Sequence, residues 1–253
     1  MSYSAVDTQG FEFKYNKAGF PANAVPYVLK PNTEFKKGQL VAMERRVKQD
    51  NIGEIFPVSN TTSLATATIV GVMAEAVAQA DNPTLGITTG LVYDNPLNVY
   101  KVSFIPRVNG DNAVVDATHT TTTTMTVAGG VATDDRSKGA LIYFYEGPGS
   151  PALRTISDIK ATNDKITWIS PLSAVPTADT KFYVTCGADY NVDGAVHNIG
   201  IVGGKTDSDG MKVDCAQVPA LATGPLVIIG VDPVKMTFDV MLRGMLVNPE
   251  YSA

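Results

Sequence analysis

Short runs that alternate apolar and polar residues, cut by glycine and proline, dominate the chain. In Asn98–Ile105, Val99, Lys101, Ser103 and Ile105 fall on one face and Tyr100, Val102 and Phe104 on the other, which predicts a strand. Comparable runs predict strands at Ala67–Val72, Thr122–Val127, Ala140–Glu146, Leu153–Lys160, Lys165–Ile169, Lys181–Thr185 and Met236–Met245. LVIIGV at 226–231 is continuously apolar and predicts a strand covered on both faces. VMAEAVAQA at 72–80 suits a helix by propensity yet alternates like a strand, so both readings stay open. Gly38 supplies the turn into Leu40-Val41, GPGSP at 147–151 reads as another turn, and Thr162-Asn163-Asp164 is short enough to close a hairpin. Thr133-Asp134-Asp135 suits the cap of a single helical turn ahead of Gly139. The run Thr120–Thr124 looks like low complexity, but threonine is β-branched and favours extended backbone. A linker before about Thr121 and a strand after it is the expectation.

Composition agrees with this pattern. Of 253 residues, 44% are hydrophobic and 18% charged, which is the range of a folded globular chain. The formal net charge is −5, and no basic run is longer than the pairs Lys36-Lys37 and Arg45-Arg46, so no nucleic-acid footprint is expected. No window of 18 apolar residues exists to suggest a membrane helix, and the start MSYSAVDTQGFEFKYNK does not read as a signal peptide.

Candidate chemistry is sparse. GGKT at 203–206 ends like a phosphate-binding loop, but the required earlier glycine is Ile199, so a hairpin turn is the expectation. DYNVDG at 189–194 places Asp189, Asn191 and Asp193 at alternate positions before Gly194, as in the first half of a calcium loop. The twelfth position is Gly200 rather than glutamate, so an Asx-rich turn is the first reading and a calcium site on those three residues the alternative. His119 and His197 sit beside no nucleophile elbow, and no carboxylate pair stands out as an acid–base couple. Cys186 and Cys215 lack metal spacing and read as reduced thiols, with a disulfide as the alternative. Trp168 is expected to pack in a core or an interface. The chain is therefore expected not to be an enzyme and to need no cofactor.

Two stretches carry a resemblance. KKGQLVAM followed by TATIVGVMAEA, with Gly38, Leu40, Val41, Ile69, Gly71, Val72 and Glu75 as the matching residues, resembles the capsid decoration (cement) proteins of tailed bacteriophages. The stretch from TTMTVAGG to TADTKFYV, 123–184, is similar to a β module that recurs in phage virion proteins. Its matching positions are Asp134, Asp135, Gly139, Gly147, Gly149, Arg154, Ile156, Asp164, Pro176, Thr177, Tyr183 and Val184. Together they cover most of 26–186.

The resemblance implies an all-β chain: a β-barrel or tulip-like capsid-binding domain formed by 26–110 plus 187–253, with a second small β domain, 111–186, inserted and projecting outward. Residues 1–25 would be an N-terminal arm whose Tyr3, Phe11, Phe13, Tyr15 and Phe20 contact the capsid or a neighbour, by strand addition to an exposed edge. The implied partners are the major capsid protein and other copies of the chain, as a homotrimer, with neither nucleic acid nor membrane. The implied setting is the capsid surface of a virion, after synthesis in the host cytoplasm. A tail or fibre component that binds a host receptor or glycan is the alternative, with Tyr143, Phe144, Tyr145 and Trp168 available to line a sugar site.

Overall fold

Among the described residues the computed structural model has eighteen strands in three sheets and no α-helix. Those residues are 10–44, 53–59, 67–83, 87–106, 108–109, 114–116, 120–128, 140–160, 165–185, 205–206, 209–215 and 226–242. The chain is all-β, as its alternation predicts.

The first sheet to be completed along the chain contains β2 (Val25–Val28), β3 (Leu40–Glu44), β4 (Ile55–Pro57), β5 (Ala67–Met73) and β6 (Thr89–Tyr93), in the order β2-β6-β5-β3-β4. Its two edges meet: a parallel bridge joins Leu29, just after β2, to Ile55 of β4, and Lys30 N–H donates to Ile55 O at 2.9 Å. Leu29, Phe35, Val41, Ile55, Val70, Met73 and Val92 fill the interior of this small curled sheet. Gly38 has φ +78°, the geometry its turn needs. Gly71 is required by space instead, because a Cβ there would lie 2.2 Å from the Tyr93 carbonyl oxygen on the neighbouring strand. The ambiguous 72–80 stretch is neither a long helix nor a long strand. β5 ends at Met73, Val77 forms one bridge to Phe35, and a single 3-10 turn covers Gln79–Asp81.

A second sheet combines the early and late parts of the chain: β1 (Glu12–Asn16), β7 (Asn98–Ile105), β15 (Lys205–Thr206), β16 (Val213–Asp214), β17 (Leu226–Asp232) and β18 (Thr237–Leu242). β7 is its axis, flanked by β18 on one side and by β1 and β16 on the other. The last two residues of GGKT, Lys205 and Thr206, form a short strand that pairs antiparallel with Asp214 and Val213. Among the described residues LVIIGV lies at the edge of its sheet, and it is not covered on both faces. Leu226 and Ile228 are buried, but Ile229 sits at a bulge and is 38% exposed. Apolar content alone could not distinguish a covered strand from one that faces inward with alternate residues. The last strand begins at Thr237, because Met236 takes φ +53° in the turn before it.

The third sheet holds β8 (Val108–Asn109), β9 (Val114–Asp116), β10 (Thr124–Ala128), β11 (Leu141–Glu146), β12 (Ala152–Lys160), β13 (Lys165–Trp168) and β14 (Lys181–Val184), in the order β8-β14-β11-β12-β13-β10-β9. β8 and β9 lie at opposite edges although residues 109 and 114 are close in sequence. Five residues span at most about 18 Å of extended chain. Seven strands laid flat would separate their edges by about 29 Å. The sheet must therefore roll. Its interior is Met125, Val127, Ala140, Ile142, Phe144, Ile156, Ile166, Trp168, Leu172, Phe182 and Val184. The threonine run is stitched into it: Trp168 Nε1–H donates to Thr122 O at 3.0 Å, Trp168 N–H to Thr123 O at 3.0 Å, and Thr121 N–H to Thr124 O at 2.8 Å. The strand begins at Thr124, two residues later than alternation indicated.

β11 and β14 bury both faces. Ile142, Phe144, Phe182 and Val184 point into the rolled sheet, while Tyr143, Tyr145 and Tyr183 belong to the core built on β7, β17 and β18. Tyr183 is the centre of that joint. Its ring lies 5.8 Å from Phe104, 5.5 Å from Tyr143 and 6.2 Å from Tyr145. Its hydroxyl donates to Pro233 O in the β17–β18 turn, and Phe104 stacks on Phe238 at 4.3 Å. The inserted sheet is thus anchored along one face by an aromatic seam.

Cys215 is disulfide-bonded, which corrects the reduced-thiol expectation. The other cysteine of the chain, Cys186, lies outside the described residues. Cys215 N–H donates to Ile105 O at 3.0 Å, so Cys215 lies beside the end of β7.

Phe104→Ala should remove the stacked ring from the seam and lower unfolding free energy by about 3–5 kcal/mol in a denaturant titration. Ile169→Ala, at a side chain 68% exposed, should change it by less than about 0.5 kcal/mol. Equal effects of the two would contradict the seam.

Candidate interaction surface

The aromatic residues proposed for the N-terminal arm separate by burial. Residues 10–16 do not hang free. β1 pairs antiparallel with β7, matching Glu12 to Lys101 and Asn16 to Asn98. The strand addition expected of an arm takes place within the chain itself. Phe11 is 2% exposed and lies in the main core, so it is unavailable as a contact residue. Phe13 is half-buried, with its ring 6.0 Å from Tyr93 and edge-on to Tyr100 at 6.5 Å. Tyr15 and Phe20 remain outside, 44% and 63% exposed. Tyr3 lies outside the described residues.

A buried polar network fixes the turn between Tyr15 and Phe20. Asn16 Nδ2–H donates to Asn98 Oδ1 at 2.9 Å, Asn98 Nδ2–H to the Tyr100 hydroxyl at 3.2 Å, and that hydroxyl to Tyr93 O at 3.1 Å. Asn16 also accepts from Ala18 N–H through Oδ1 at 2.8 Å and from Gly19 N–H through its carbonyl at 2.9 Å. Gly19 has φ +78°, which closes the turn. Buried amides left without partners are costly, so the turn is held as firmly as the strands beneath it. Lys17 N–H then donates to Leu97 O at 3.0 Å, which brings Leu97, 40% exposed, alongside. Tyr15, Leu97 and Phe20 are therefore exposed apolar side chains set around one rigid turn. Leu97 escaped the sequence reading because NPLNVYK reads as the lead into a strand, and only pairing with β1 shows that it stays outside.

Charge around this region is paired in part. Lys14 Nζ lies 2.6 Å from Asp239 Oδ2, reaching across β7. The Tyr27 hydroxyl donates to Asp94 Oδ2 at 2.8 Å. Burial, and then the hydrogen bond and negative charge of Asp94, push Tyr27 up from 10 to about 12. Tyr100 is pushed up further, chiefly by burial, with the Asn98 hydrogen bond working the other way.

Other sequence candidates fall elsewhere. Asp189, Asn191 and Asp193, His119 and His197, and Thr133-Asp134-Asp135 lie outside the described residues. Tyr143, Phe144, Tyr145 and Trp168 are 9%, 0%, 5% and 2% exposed, so they cannot line a sugar site. Their alternation serves two cores instead. Among the described residues, no group of three or more histidine, cysteine, aspartate or glutamate side chains could hold a metal ion, and no helix is long and apolar enough to cross a membrane.

A raised folded-state pKa means that the neutral Tyr27 ring is favoured in the fold. Its contribution to stability is present below pH 10 and is lost as pH rises through about 12. The difference in tyrosinate absorbance between the wild type and Tyr27→Phe should titrate near 12. In an Asp94→Asn background it should move toward 10 without reaching it, since burial remains. An unshifted titration near 10 in the wild type would contradict the assignment.

No protein-family model matches the chain, and no curated protein or solved structure gives a significant match to it.

Proposed function

We propose that this chain is a structural virion protein that binds the outer surface of a phage capsid at junctions between major capsid protein subunits. Its role in this reading is to bind, not to catalyse. Apolar and polar surface buried across a subunit boundary would oppose separation of those subunits under the pressure of packaged DNA. Many copies act together, so modest affinity at each site suffices.

The observation that supports this reading most is the exposed trio Tyr15, Leu97 and Phe20 on a turn locked by Asn16 and Asn98. Large apolar side chains held rigidly at a surface lose little entropy on binding and suit the centre of an interface. The resemblance of 36–76 and 123–184 to phage virion proteins supports the major capsid protein as the partner. The competing reading, a tail or fibre protein that grips glycans, loses the four aromatics that motivated it, because they are inside the molecule.

Tyr15→Ala combined with Phe20→Ala should weaken binding of the purified chain to capsids of the phage that encodes it. The expected loss is at least about tenfold, since a hot-spot truncation costs about 2 kcal/mol or more. Melting should stay close to wild type. Full binding by the double variant would remove the trio from the contact. Failure of the wild-type chain to bind those capsids would overturn the function.

A further inference from the structure

The edges of the three sheets are treated unequally. Exposed strand edges invite pairing with other chains, and proteins blunt them by shortness, charge, proline or closure. The small curled sheet joins its edges through the Leu29–Ile55 bridge. The rolled sheet ends in β8 and β9, of two and three residues. In the sheet built on β7, β15 has two residues and carries Lys205, and β1 carries Glu12 and Lys14 with an irregularity between Phe13 and Tyr15. β17 is the exception. It runs seven residues, LVIIGVD, with no lysine, arginine or proline. Among the described residues, β18 is its one neighbouring strand, and no backbone hydrogen bond reaches its other edge.

The geometry points to β17 as a pairing edge for β17 of a second copy, antiparallel about a two-fold axis at Ile229. Three observations favour this occupant. First, a two-fold interface must be self-complementary. The segment Val227-Ile228-Ile229-Gly230-Val231 reads nearly alike in both directions, setting Val227 against Val231 of the other copy and Ile229 against itself. Second, β-branched residues facing one another are favourable cross-strand pairs. Third, the single charge, Asp232, would face Leu226 of the other copy, so the two aspartates lie at opposite ends and do not repel across the ladder. The bulge between Ile228 and Gly230 interrupts the ladder to β18 at one residue, and it leaves the Ile229 side chain 38% exposed at the proposed axis. Val234, 49% exposed in the turn beyond β17, extends the apolar rim. The result is a pair of chains sharing one continuous sheet, in place of the three-fold assembly that the resemblance implies. It does not rest on capsid binding.

The test is the mass of the full-length chain in solution by sedimentation, at micromolar concentration. The wild type should be a dimer. Ile229→Lys would set two like charges face to face at the axis and should raise the dissociation constant on the order of 100-fold, giving monomer. Its far-ultraviolet spectrum should match wild type, since the side chain is already partly in water. As a second readout, Ile229→Cys should oxidise to a covalent dimer, because the axis places each copy's residue opposite its mate. A wild-type monomer or trimer, a dimer indifferent to Ile229→Lys, or absence of the covalent dimer would overturn the pairing. Binding of a monomeric Ile229→Lys variant to capsids would leave the proposed function intact, so the two readings fail separately.

Discussion

Two sheets of this molecule hold together through Tyr183. Strand β14 sends Phe182 and Val184 into the rolled sheet and Tyr183 out of it, and that outward ring meets Phe104, Tyr143 and Tyr145. Tyr183 is 1% exposed, so its ring has left water entirely and its hydroxyl needs a partner. Pro233 O, in the turn between β17 and β18, provides one. A single strand therefore ties the inserted sheet both to the axial strand β7 and to the returning hairpin. Aromatic pairs contribute about 0.5–1.5 kcal/mol each beyond their burial, so a cluster of this size is enough to set the relative placement of two sheets. The seam also explains why β11, LIYFYE, is apolar in both its odd and even positions: each face has a core of its own.

Much of the strand content was legible because one residue in two must point inward. β7 was found residue for residue, and β11 to β14 to within about one residue, since their alternation and their turns agree. Gly38 was legible as well, because a turn into a strand demands a backbone that glycine tolerates. What escaped the sequence is non-local. EFKYN could be an arm or a strand, and the outcome depends on whether β7, more than 80 residues later, offers an edge. The apolar run of β17 could be covered on both faces or on one, and only the exposure of Ile229 and the strand order among the described residues show which. The disulfide of Cys215 belongs to the same class. The candidate surface was legible in part. Tyr15 and Phe20 stood out as aromatics near the start of the chain, but their neighbours Phe11 and Phe13 looked the same and turn inward. Alternation about a bulged strand decides which of the four is outside, and the irregularity between Phe13 and Tyr15 has no signature in the sequence.

The same construction bears on function. A binding surface works best when the element beneath it is rigid, and the Asn16–Asn98–Tyr100 network makes the exposed turn part of the β7 framework. β7 in turn carries Phe104, so the turn that presents Tyr15 and Phe20 and the seam that holds the inserted sheet share one strand. A load applied at the exposed turn would be passed along β7 to both sheets. That arrangement would serve the proposed role of opposing the separation of capsid subunits.

The claim on which this account depends is that the aromatic seam makes the two sheets one cooperative body. Differential scanning calorimetry of the intact chain tests it directly. One transition, with calorimetric and van't Hoff enthalpies in agreement, is the predicted result. Two resolved transitions, one from the rolled sheet and one from the rest, would contradict it.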